Sequence, residues 1–215
     1  RAIALGKPWN SWESLVPGYM GLAQIHRVYQ RWEAAFATLD ELKEVCRQAN
    51  MEMMLPTVEL ARIRLEADRG NLEMVARWLA DQNLGDETAP SQMEEGEALS
   101  RLRLLLALGR HRQAAQRIER LLPRMEAGER WGRVLEALVL QVMALEGQNR
   151  RDGALAALER ALALGEGEDY VRVFVDEGAP MRRLLEIEQR ERGGSPYVSR
   201  LLDAFGAEPA QAARP

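Results

Sequence analysis

The stretch RALALG at Arg160–Gly165 decides how this chain is read, because RAIALG at Arg1–Gly6 repeats it with a single exchange. Between the two copies, small residues open apolar helical stripes at Ala35, Val75, Ala114 and Ala154, in steps of 40, 39 and 40 residues. Ala2 and Ala161 stand 159 residues apart, four steps of the same length. A fixed period of that size marks an array of small units, none of which can bury its apolar face without a neighbour. The first unit is expected to be already ending where the chain starts, so that an upstream capping unit is missing.

Composition bounds the possibilities. The chain has 215 residues, 47% apolar and 29% charged, enough for a short solenoid with a continuous core. A net charge of −4 provides no general attraction for a phosphate backbone, so direct contact with nucleic acid is not expected. No apolar run approaches the roughly 20 residues that span a bilayer, and the start lacks the pattern of a signal peptide. A soluble, cytoplasmic protein is expected. The single cysteine, Cys46, falls on an apolar stripe, which predicts a core position and a reducing compartment.

The periodicity predicts helices in pairs. In the first, Tyr19, Leu22, Ala23, His26 and Tyr29 share a face to about Arg31, opened by an Asn10/Glu13 cap, and Ala35, Leu39, Leu42 and Cys46 share the next. The second pair carries Met54, Val58, Ala61 and Leu65, then Val75, Leu79 and Ala80, with the turn at Gly70. DQNLGDETAP at Asp81–Pro90 reads as a loop, followed by a capping box of Ser91 and Glu94. The third pair carries Leu99, Leu102, Leu105 and Leu106, then Ala114, Ile118, Leu121 and Leu122, with Pro123 expected to kink or end it. The fourth runs from Trp131 to about Glu146 and from Asp152 to Leu164. Helices joined by turns this short run antiparallel, and no segment alternates with the two-residue period of a strand. The stretch LRLLLALGRHRQAAQRIERLL at Leu102–Leu122 resembles a tetratricopeptide (TPR) repeat, although the usual period is 34. The expected architecture is therefore all-α: a right-handed superhelix of antiparallel helix pairs, a TPR-like α-solenoid of period about 40.

After Gly165 the pattern changes. DYVRVFVDEGAPMRRLL at Asp169–Leu185 and YVSRLLDAF at Tyr197–Phe205 resemble the end of the sensor region in large ATP-dependent LuxR-family regulators of the MalT type, with Arg172, Phe174, Asp176, Glu177, Gly178, Pro180, Met181 and Leu185 carrying the likeness. The resemblance implies residues 1–165 as repeats, 166–206 as capping helices and 207–215 as a linker to a helix-turn-helix DNA-binding domain. It also implies an upstream nucleotide-binding domain, since the chain has no GxxxxGK[ST] phosphate loop of its own. The implied function is signal sensing, with a small inducer or a regulatory protein bound in or beside the groove and coupled mechanically to the flanking domains. The alternative is a self-association scaffold with no effector. Gly178 and Pro180 are expected to break the backbone, while Asp176 and Glu177 either shape the turn or meet a neighbouring domain or ligand.

No enzyme is expected. His26 lies on the inner stripe and His111 at an interhelical turn open to water; no His/Cys cluster suits a metal, no cofactor motif is present, and no nucleophile has a base partner. A groove is the better candidate. Repeat alignment places Gln24, Arg64 and Arg103 in one column that Met143 continues, polar donors suited to hydroxyl or anionic groups. The alternative is that the same residues pair with Glu59, Glu66 or other local acids, or merely face water. The tryptophans Trp9, Trp12, Trp32, Trp78 and Trp131 either fill gaps between helices or stack on a ligand.

Overall fold

A computed structural model of the chain describes residues 12–82 and 92–207. The RAIALG segment, Trp9, Asn10 of the Asn10/Glu13 cap, the loop over 83–90, Ser91 of the capping box and the segment 208–215 lie outside the described residues. Those described form eleven α-helices and one 3-10 turn, with no strand among them. The helices are α1 (Trp12–Val28), α2 (Trp32–Gln48), α3 (Leu55–Arg69), α4 (Leu72–Asp81), α5 (Gln92–Ala107), α6 (His111–Ala127), α7 (Trp131–Glu146), α8 (Arg151–Gly167), α9 (Arg172–Val175), α10 (Ala179–Arg192) and α11 (Pro196–Ala207).

One turn builds the array. Gln30, Asn50 and Gly70, and again Gly109, Glu129, Asn149 and Asp169, carry positive φ, in steps of twenty residues within each group. At each, the following amide reaches the carbonyl five residues back and the residue's own amide reaches the one three back. Arg31 N to His26 O at 2.9 Å with Gln30 N to Arg27 O at 2.9 Å is one such pair, and Arg150 N to Leu145 O at 3.0 Å with Asn149 N to Glu146 O at 2.9 Å is another. This left-handed closure satisfies the last carbonyls of one helix and reverses the chain into the next. The residues that set the 40-residue period sit five positions later. The amides of Ala35, Val75, Ala114 and Ala154 close the first turn of the returning helix, and none of the four is exposed. A larger side chain there would hold adjacent helices apart.

The helices fall into two compact units divided between Met93 and Glu94. In the first, α1 packs on α2, α2 on α3 and α3 on α4. Its core gathers Leu15, Tyr19 and Ala23 from α1, Leu39, Leu42 and Cys46 from α2, and Val58 and Leu65 from α3. Tyr19 is buried with its hydroxyl donating to Glu41 at 2.7 Å, which removes the cost of an unsatisfied phenol. Cys46 is a core residue, and burial pushes its thiol pKa up. The stripe on α1 ends sooner than the spacing predicts: α1 stops at Val28, and Tyr29 is exposed in the turn beneath the Arg31 guanidinium. On α4, Val75 and Leu79 are buried but Ala80 is exposed.

In the second unit α7 is buried on nearly every side, from Val134 through Leu138 to Leu145, because α6, α8, α9 and α10 all pack on it. A helix apolar all round belongs at such a centre. Pro123 does not end α6, which runs on to Ala127. The proline is exposed on the helix surface. Nor does Gly165 close α8, which continues to Gly167. A Cβ there would lie 2.6 Å from the Tyr197 hydroxyl and 3.0 Å from the Phe174 ring, so this glycine is a place of close approach.

Candidate functional site

The column predicted from repeat alignment divides between the units. In the first unit, Gln24 and Arg64 line one small, open hollow of about 50 Å3 between α1 and α3. Its floor is apolar, formed by Met20, Ala23, Leu39, Ala61 and Leu65, and its rim adds Arg27 and Asp68. Arg27 Nη1 pairs with Asp68 at 3.1 Å, while its buried Nε has no hydrogen-bond partner. Arg27 and Asp68 escaped the sequence reading, although they stand three residues after Gln24 and four after Arg64, on the same helical faces. The combination of an oily base with guanidinium and carboxylate groups above it suits a small polar molecule with an apolar side. Glu66 is not a partner for this rim. It is buried at a core position and receives the Asn71 side chain at 3.1 Å.

In the second unit Arg103 is engaged within the protein. It bonds Glu136 of α7 at 3.3 Å and Glu177 in the turn before α10, and Arg133 reaches Glu136 from the other side at 3.2 Å. Burial alone would lower the Arg103 pKa, but the Glu177 and Glu136 carboxylates outweigh it and hold the pKa above its ordinary value. These residues tie α5, α7 and the turn before α10 together by a chain of alternating charges.

The family-motif residues lie on α9, α10 and the turn between them, and both helices pack on α7. Gly178 has φ 72° and ψ −151°, a region open in practice to glycine alone, and Pro180 occupies the first turn of α10. That geometry points Glu177 at Arg103, whereas Asp176 pairs with Arg172 at 2.7 Å on the surface. Phe174 and Met181 are fully buried. The Phe174 ring meets Tyr197 edge-on at 6.1 Å, and the Tyr197 hydroxyl donates to the Tyr170 carbonyl. Burial, then the charge of Asp169, raise the Tyr197 pKa to about 12.

His26 is half-buried, and His111 is not the solvated residue its turn position suggested. Its ring lies against Gly147, its carbonyl accepts from Gln148 at 3.3 Å, and its Nδ1 is buried without a hydrogen-bond partner. Of the tryptophans, Trp32 and Trp78 are half-buried and Trp131 is exposed. Among the described residues no group of His, Cys, Asp and Glu could hold a metal ion, and no helix is long and apolar enough to cross a membrane.

Hairpins of helices repeated on a forty-residue step and joined by left-handed turns define an all-α repeat module of the TPR-like class. A family model, the MalT-like TPR region, matches residues 1–191, and the chain belongs to that family. No curated protein matches it.

Proposed function

We propose that this module receives the signal for a LuxR-family transcriptional regulator of the MalT type, binding a small inducer or a segment of a regulatory protein at the hollow lined by Gln24, Arg27, Arg64 and Asp68. The single observation that supports this reading is the placement of those four polar side chains over an apolar floor. A ligand seated there touches α1, α2 and α3 together, so its binding energy favours one arrangement of the three helices. Nucleotide hydrolysis and DNA binding belong in this reading to flanking domains of the parent regulator, in the cytoplasm, and the module itself has no catalytic role.

Thermal unfolding against a library of metabolites and sugars tests it. A true ligand at about 100 times its Kd adds about 2.7 kcal/mol, a melting shift of about 5–10 °C, and Arg64→Ala abolishes that shift. A library that shifts nothing, together with concentration-dependent dimerisation, assigns the module to self-association instead.

A further inference from the structure

The residue before each returning helix is where serine, threonine, aspartate or asparagine normally caps it. Here arginine precedes four helices, at Arg31, Arg110, Arg130 and Arg150, and none of the four makes a side-chain cap bond. Two have evident reasons. Arg31 lies over the Tyr29 ring, and Arg130 forks onto the buried Glu95 carboxylate at 2.8 and 2.5 Å. Arg110 and Arg150 are exposed and make no ion pair among the described residues, and the same holds for their neighbours Arg112 and Arg151.

The fold brings these two arginine pairs to one edge of the second unit. His111 packs against Gly147 and accepts from Gln148, which stacks the α5–α6 turn on the α7–α8 turn. The other charged groups of the two turns are Glu146, half-buried, and Asp152, exposed, so the edge keeps a surplus of positive charge on a chain whose net charge is −4. Four like charges on one edge with no ion pair among the described residues gain the fold no electrostatic stabilisation.

We propose that the Arg110, Arg112, Arg150 and Arg151 edge is a docking surface for an acidic protein segment. Each guanidinium presents a planar fork that matches a carboxylate. Glu146 and Asp152 decide against nucleic acid: a phosphate backbone carries a negative charge about every 1.7 Å of duplex axis and is repelled by them, whereas a protein segment can offer each a cation. The inference is independent of what occupies the hollow between α1 and α3.

The test uses the full chain and a fluorescein-labelled acidic decamer of glutamates interrupted by two lysines, which can face Glu146 and Asp152, read by anisotropy. The variant R110Q/R112Q/R150Q/R151Q is expected to bind about tenfold more weakly than wild type, while the charge-matched control R69Q/R124Q/R183Q/R190Q stays within about twofold and wild-type affinity falls as salt rises. If the four-site variant does not fold, R110Q/R112Q and R150Q/R151Q carry the test, each expected to lose about threefold. Equal binding by edge variant and wild type overturns the proposal, as does no binding by wild type. Tighter binding of a duplex of about 20 base pairs than of the decamer, lost in the edge variant, also overturns it, in favour of nucleic acid.

Discussion

Gly165 shows how far a single residue's meaning depends on its surroundings. The sequence pattern ends the helix at Leu164 just before it, yet Gly165 lies inside α8, and what it supplies is the absence of a side chain beneath Tyr197 and Phe174. Gly165→Ala is expected to cost about 1–3 kcal/mol by overpacking, since both rings are buried and the Tyr197 bond to Tyr170 holds one of them in place. Gly21, in the middle of α1 with nothing within 4 Å of its missing Cβ, is the matched contrast: Gly21→Ala is expected to stabilise by about 0.5–1 kcal/mol. Denaturant unfolding of the two variants gives opposite signs if this assignment is right. Tyr197 adds a dependence on pH. Its folded pKa of about 12 lies above the ordinary tyrosine value of 10.0, so its contribution is intact below pH 10 and lost as pH rises through 12. Denaturation midpoints measured across that window should fall more steeply for wild type than for Tyr197→Phe.

At the level of elements, the turns were legible and their cross-links were not. The positive-φ residues recur at a fixed interval, and each is held by hydrogen bonds to its own helix, so local sequence carries the information. Gly70 and Gly109 suit the left-handed conformation without a Cβ, whereas Glu129 adopts it at a cost. Glu129→Gly should therefore raise stability by about 0.5–1 kcal/mol and Gly109→Ala lower it by about 1 kcal/mol, as read from urea midpoints. The contact between Arg103 and Glu177 is different in kind, spanning 74 residues. Repeat alignment placed Arg103 in a groove column, but only the folded chain brings the Gly178 turn against it. A double-mutant cycle on Arg103→Ala and Glu177→Ala is expected to return a coupling of about 1–2 kcal/mol, and zero coupling would show the two to be independently solvated.

Taken as a whole, the molecule was readable in its class and its period, because both are written in short-range spacing. Less of the candidate site was readable. Gln24 and Arg64 were found from their shared register, but the hollow also needs Arg27, Asp68 and a floor drawn from three helices. The buried Glu66 looked like a surface acid, and only its pairing with Asn71 accounts for a carboxylate at a position where α5 and α7 carry Leu105 and Leu145. Charge at this scale is simpler: with a pI near 5.5, solubility should pass through a minimum close to that pH, which turbidity across an acid series would detect.

Because every left-handed turn is closed by its own helix, the register of the array does not depend on how many hairpins it contains. Copying the block from Gly109 to Gln148 and splicing it in ahead of Gly109 or Asn149 would leave every downstream reversal in phase. An insertion of a few residues inside a helix would rotate the rest of that helix's apolar face out of the core. Length is therefore a quantity this architecture can change only in whole increments, and those increments are the natural unit in which a longer or shorter receiver would be built.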